Sequence, residues 1–153
     1  MPNEPRNPEF AARTQESFAN QTFMKSIGAF LENVVPGSVT IRLPKRDDLL
    51  QQHGFFHGGL VGSIADNAGG YSAFSLMRTQ DSVLTVEYKI NIMAPAVGDE
   101  LLAIGQVIRA GKTLSVCRSD IYAVENGVRK HCASLLGTFM TMADMPDRPH
   151  NIK

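Results

Sequence analysis

The run His57-Gly58-Gly59-Leu60-Val61-Gly62-Ser63-Ile64-Ala65-Asp66 sets a glycine pair at one end of an apolar segment and a single carboxylate eight residues beyond Gly58. A glycine pair that opens a helix exposes backbone N–H groups with no intrahelical partner, and the helix dipole favours negative charge there. Gly58 N–H can thus donate to an oxyanion developing on a carbonyl, because a residue without Cβ lets that carbonyl approach. Asp66 can deprotonate water or attack the carbonyl directly, and the spacing does not choose between these roles. Eight residues of helix span about 12 Å, whereas a base must come within roughly 3 Å of its proton or one water farther. One chain therefore cannot offer both groups to one carbonyl. Two antiparallel central helices, brought close by their glycines, would set each Asp66 opposite the Gly58 of a second chain across a two-fold axis.

That helix needs a frame. Residues 51–77 are apolar or small on nearly every face, as expected of a buried central helix covered by the concave side of a sheet. Its glycines at 58, 59, 62, 69 and 70 each cost roughly 1 kcal/mol against alanine, so they imply close approach of another backbone or a ligand. Ahead of it, residues 8–27 carry Phe10, Ser17, Phe18, Phe23, Met24 and Ile27 at amphipathic spacing behind Pro8, which predicts one N-terminal helix. Residues 28–44 hold two β-branched runs about Pro36-Gly37, a hairpin. Four turn signals then divide the remainder into strands over residues 83–93, 100–109, 113–124 and 128–141. Short turns predict that these pair in sequence order as an antiparallel meander. Asn126-Gly127 has the chemistry of a type I′ turn and pairs Glu125 with Val128. Counting outward, Cys132 faces Ile121 and Cys117 faces Leu136, which puts the sulfurs roughly 13 Å apart and excludes a disulfide. The fold class is α+β: an antiparallel sheet wrapped around a long central helix, with an extra N-terminal helix.

At 153 residues the chain fits a single domain, 1–153, with a core over about 28–141 and a polar, proline-bearing C-terminal tail expected to be loose. Fifteen basic and fifteen acidic residues balance, so no global field favours nucleic acid or a membrane surface, and no apolar run reaches the ~20 residues of a membrane span. The N-terminus, with three prolines in its first eight residues, lacks the apolar region of a targeting peptide, and a cytoplasmic location is expected. The two cysteines have no metal-ligand spacing. His53 and His57 lie four apart, but Gly54 precedes the helix start, so they share no helical face and no metal site is expected.

With HGGxxxxxAD opening the central helix and a run of strands after it, the chain resembles the hotdog-fold acyl-CoA thioesterases of the PaaI type over roughly residues 28–141. The resemblance implies hydrolysis of an acyl- or aroyl-CoA thioester without metal or organic cofactor, by a homodimer with shared active sites that commonly pairs again into a homotetramer. It makes Asp66, Gly58, His57 and Gln51 the catalytic set. His57 and Gln51, which lies six residues ahead of it, match positions that orient the thioester or the attacking water; a helix cap and a loop contact are their plainer alternatives. Some relatives carry Ser or Thr four residues after the carboxylate, where this chain has Gly70. That water-positioning role passes to Asn67, to backbone or to nothing, and the vacated volume could admit a bulkier acyl group. Gly59, Asn67, Gly70, Tyr71 and Phe56 are the candidate substrate-binding residues of the pocket. Coenzyme A phosphates call for local cations, for which Arg109 and Lys112 about the turn at Gly111 are candidates, solvated hairpin charges being the alternative. A hotdog hydratase or dehydratase, or a non-catalytic acyl-CoA-sensing protein, are the competing functions.

Overall fold

The computed structural model describes residues 3–149. Two short helices, α1 (Phe10–Ala19) and α2 (Thr22–Ile27), lead into the hairpin β1 (Phe30–Val35) and β2 (Ser38–Pro44). A 3-10 turn (Asp47–Leu49) and a tight loop precede the central helix α3 (Gly58–Phe74). The strands β3 (Ser82–Ile92), β4 (Glu100–Ala110), β5 (Leu114–Glu125) and β6 (Val128–Met142) follow. The expected hairpin turns at Gly37, φ +75°, and its type I′ counterpart is found at Asn126 and Gly127, φ +51° and +77°. All six strands form one antiparallel sheet that packs against α3, the hotdog arrangement.

Three expectations are corrected. The N-terminal helix is two helices, because Gln21 takes an extended conformation, φ −76° and ψ 107°, and bends the chain. The four C-terminal strands are not a meander in sequence order: β4, β5 and β6 are, but β3 lies at the far edge beside β6, giving the order β1-β2-β4-β5-β6-β3. The link of residues 93–99 makes this possible by crossing the strand ends, with Met93 N–H donating to Cys132 O and Asp99 N–H to Val124 O. Third, a bulge between Ile121 and Tyr122 shifts the β5–β6 register by one, so that Ile121 pairs with Ala133 and Cys117 with Gly137. Both cysteines are buried free thiols, and burial pushes Cys117 up to about 12. The C-terminal tail begins beside Asp81, itself 1% exposed, which holds Arg78 and accepts from Asp144 N–H; residues 150–153 lie outside the described residues.

The sheet reaches α3 through small residues. A Cβ on Gly105 of β4 would sit 2.1 Å from the Ala68 carbonyl oxygen. The helix is fixed there by Ser72, which donates to Ala68 O and accepts from Val39 N–H of β2. Since backbone cannot retreat as a flexible side chain can, Gly105→Ala is expected to cost about 3 kcal/mol, read as a lower urea midpoint at unchanged slope.

Candidate active site

Along β3 the helix runs in the opposite direction. A Cβ on Gly58 would meet Ile92 Cδ1 at 3.3 Å, one on Gly62 would meet Tyr88 Oη at 3.6 Å, and Asp66 Oδ1 accepts a 2.9 Å hydrogen bond from Thr85 Oγ1. The glycines at 69 and 70 receive the ring of Phe139, which would stand 3.0 Å and 3.3 Å from added Cβ atoms. Gly62, Gly69 and Gly70 are buried by the chain's own aromatic side chains, which corrects the expectation that the glycines serve contact between two helices. Only Gly58 and Gly59 remain exposed.

The helix start reduces the free donors to one. His57 is the N-cap, and its Nδ1 accepts from Gly59 N–H at 2.9 Å. Nδ1 therefore carries no proton, and the neutral ring bears its hydrogen on Nε2. Leu60 and Val61 N–H both donate to the His57 carbonyl. Of the four first-turn amides, Gly58 N–H alone has no hydrogen-bond partner among the described residues. Gln51 shapes the loop before it: its N–H donates to Phe55 O, its carbonyl accepts from Gly54 N–H, and its side-chain oxygen accepts from His53 N–H.

Asp66 opens onto a cavity of ≈ 630 Å³ whose lining includes Asn67, Gly70 and Tyr71 of α3, Thr85 of β3 and Gln21 between α1 and α2. Burial pushes the Asp66 carboxyl above its ordinary value, and the Thr85 hydrogen bond pulls it part of the way back. Thr85 is the residue that sequence reasoning missed; it supplies from the facing strand a hydroxyl of the kind that position 70 lacks. Asn67 Nδ2 donates to Ser63 O, and its Oδ1 is buried without a partner. The candidate site residues thus fall into two groups within one chain. Asp66, Asn67, Gly70 and Tyr71 share the cavity, and His57, Gly58, Gly59 and Gln51 gather at the helix start. Phe56 packs into the core, 3% exposed, with its N–H on Ala96 O, and does not line this cavity. Arg109 and Lys112 are exposed at the β4–β5 turn, away from the cavity lining of their own chain.

A lone unpaired helix-start amide and a half-buried, hydroxyl-held carboxylate are groups that carbonyl hydrolysis can use. The family model of the Thioesterase superfamily matches residues 53–130, the segment that carries both. The chain belongs to the thioesterase superfamily. A thioesterase family protein from Silicibacter pomeroyi is 38% identical, with a TM-score of 0.85, over 87% of this chain and 98% of that one. The E. coli PaaI protein of the phenylacetic acid degradation operon shares the fold at 22% identity and TM-score 0.77, over 90% of this chain and 99% of that one. Human acyl-coenzyme A thioesterase 13 is 28% identical over 94 residues, 60% of this chain and 65% of that protein. This member of the superfamily is a thioester hydrolase with the hotdog fold. No helix among the described residues is long and apolar enough to cross a membrane.

If Asp66 must be ionised to work, kcat/KM should fall toward acid with a midpoint above the ordinary carboxylate value of about 3.9. Thr85 hydrogen-bonds the charged form, so Thr85→Val should move that midpoint to still higher pH. A pH–rate profile of both proteins checks the direction.

Proposed function

We propose that the protein hydrolyses acyl-coenzyme A thioesters to free acid and coenzyme A in a homodimer, with Asp66 of one chain acting on a carbonyl held by Gly58 N–H of the other. The observation that carries this reading is the antiparallel course of α3 over the edge strand β3. Gly62, midway between Gly58 and Asp66, lies against Tyr88 at the middle of β3. A two-fold axis through the β3 edge near Tyr88 would then bring each Asp66 to the side of its partner's Gly58. The edge is suited to self-pairing, since Leu84, Val86, Tyr88 and Ile92 stand 43–55% exposed along it.

In this site the thioester oxygen takes the Gly58 N–H, the one first-turn donor not already engaged. Thr85 occupies Asp66 Oδ1, leaving Oδ2 free to take a proton from water, so a general-base role suits the geometry better than direct attack. Water adds to the carbonyl carbon, the C–S bond breaks, and the proton held by the carboxyl passes to the leaving thiolate. His57, with Nε2–H as its only donor, can hydrogen-bond the leaving sulfur while the carboxyl delivers the proton, and Gln51 holds the loop that carries His57. Neither metal nor organic cofactor is required. Arg109 and Lys112 are proposed to meet coenzyme A phosphates from across the dimer. The cytoplasm is the proposed location, and pairing of dimers into a tetramer is the proposed assembly.

The direct test is release of free thiol from a panel of acyl-CoA thioesters. Turnover of at least one at kcat near 1 s⁻¹ or above is expected, the ordinary enzyme range being roughly 1–10³ s⁻¹. Tight binding of acyl-CoA without thiol release would instead identify a sensing protein.

A further inference from the structure

One part of the Asp66 cavity is built by the end of the chain: Asp147, Arg148 and Pro149 line it, together with Ser17 of α1. These residues reach it from a single mooring. Asp144 N–H donates to the buried Asp81 carboxylate at 3.2 Å, and the Asp144 carboxylate accepts from Arg78 at 3.3 Å. Asp144 itself stands at φ +55°, a left-handed conformation that few residues other than glycine adopt. Beyond this hinge, residues 146–149 make no hydrogen bond or ion pair with the rest of the chain among the described residues. Their one bond, from Arg148 N–H to Pro146 O at 2.9 Å, is local. Charge is what draws them across. Burial lowers the half-buried Arg13 guanidinium of α1, and the charge of Asp147, ahead of that of Asp81, works against this. Arg13 precedes Ser17 by one helical turn, so the two share the face of α1 that the tail crosses.

Resting on the reading that this cavity receives the acyl group of a thioester, we infer that Asp147–Pro149 is a strap, hinged at Asp144, that closes over the bound acyl group. With the cavity unfilled, the strap is held by an attraction between partly exposed charges, which is worth little in water. An acyl group gives Pro149 and the aliphatic stem of Arg148 apolar surface to cover, and removing that surface from water favours the closed position. Occupancy and closure are therefore coupled, each favouring the other. Opening is cheap, because one hinge residue turns and no hydrogen bond to the body of the chain breaks. Closure also keeps bulk solvent away from a carboxylate whose chemistry needs one water. The strap lies outside residues 53–130 and is thus an addition of this chain to the part it shares with the superfamily model.

Binding can be tested without turnover, by isothermal titration calorimetry with the non-hydrolysable thioether S-hexyl-CoA and with coenzyme A itself. In the full-length variant combining Pro146→Gly, Asp147→Ser, Arg148→Gly and Pro149→Ser, the strap loses its charge and its apolar cover. This variant should bind S-hexyl-CoA about tenfold more weakly than wild type, the worth of roughly two methylenes left in water, and coenzyme A equally well. Asp147→Lys, which sets like charge against Arg13, should weaken the thioether in the same direction, and added salt should diminish that effect. A spectroscopic arm reads the motion directly. The chain has no tryptophan, so Arg148→Trp supplies a single reporter on the strap. Its emission should move to shorter wavelength and become shielded from acrylamide when S-hexyl-CoA binds, but not when coenzyme A binds. An equal loss for both ligands, no loss in either strap variant, or a reporter equally exposed with both ligands overturns the inference. Acyl-dependent closure in a protein that releases no thiol from any acyl-CoA overturns the hydrolase reading and leaves the strap standing; thiol release beside an idle strap does the reverse.

Discussion

Asp66→Asn is expected to lower kcat for thioester hydrolysis by about 10³-fold, within the roughly 10²–10⁴ that a positioned base supplies, while KM changes little. The substituted amide keeps the shape of the carboxylate and can still accept from Thr85, so a loss of this size would report the missing base. Stability should move the other way. Burial raises the Asp66 carboxyl in the folded protein above its unfolded value. The folded state therefore holds this proton more tightly than the unfolded state does. Its contribution to stability is present below the unfolded value and is lost as pH rises through the folded one. At neutral pH the wild-type protein carries the ionised form at a cost that asparagine does not have. The variant should melt at the same or a higher temperature at pH 7, with the advantage vanishing in acid. Thiol release and thermal melts at two pH values check both halves. Loss of activity accompanied by loss of structure would remove the base assignment.

Two inactive proteins should make an active one. Gly58→Pro removes a single N–H from the first helical position, where proline is well accepted, and His57 ahead of it is already extended at ψ 134°, as a residue before proline must be. An added Cβ there meets only the flexible end of Ile92. Alone this variant should lose about 10²-fold to 10³-fold in kcat, the usual cost of one oxyanion donor. When it is refolded with Asp66→Asn at equal amounts, half of the dimers are mixed and each mixed dimer holds one intact site, so about a quarter of wild-type activity should return. Sites contained within one chain would give no recovery.

Turn chemistry made much of the fold legible. Pro36-Gly37 and Asn126-Gly127 announce their own geometry, and strands adjoining such turns could be paired correctly from composition alone. The position of β3 could not, because its partner β6 lies some fifty residues on, and the link that carries the chain across has no local signature. The bulge at Cys132 is equally silent, and one extra residue moved every later pairing of β5 by one. Thr85 escaped notice for a related reason: a second bulge between Thr85 and Glu87 breaks the alternation that would have shown which β3 side chains face α3. The helix motif, by contrast, carried its chemistry openly. Gly58 and Asp66 could be singled out from residue type and spacing, and the distance between them led to the expectation of a second chain. The glycines were half legible: their demand for close approach was evident, but the rings of Tyr88 and Phe139 that meet them come from strands far along the chain.

The uncovered edge of β3 carries a consequence for dosage. If two copies must meet there before either can turn over substrate, activity below the dissociation constant should grow with the square of chain concentration. A cell making little of this protein would then have almost no hydrolysis, and modest overproduction would switch it on steeply. Serial dilution of the purified protein should show specific activity falling with concentration and returning on reconcentration.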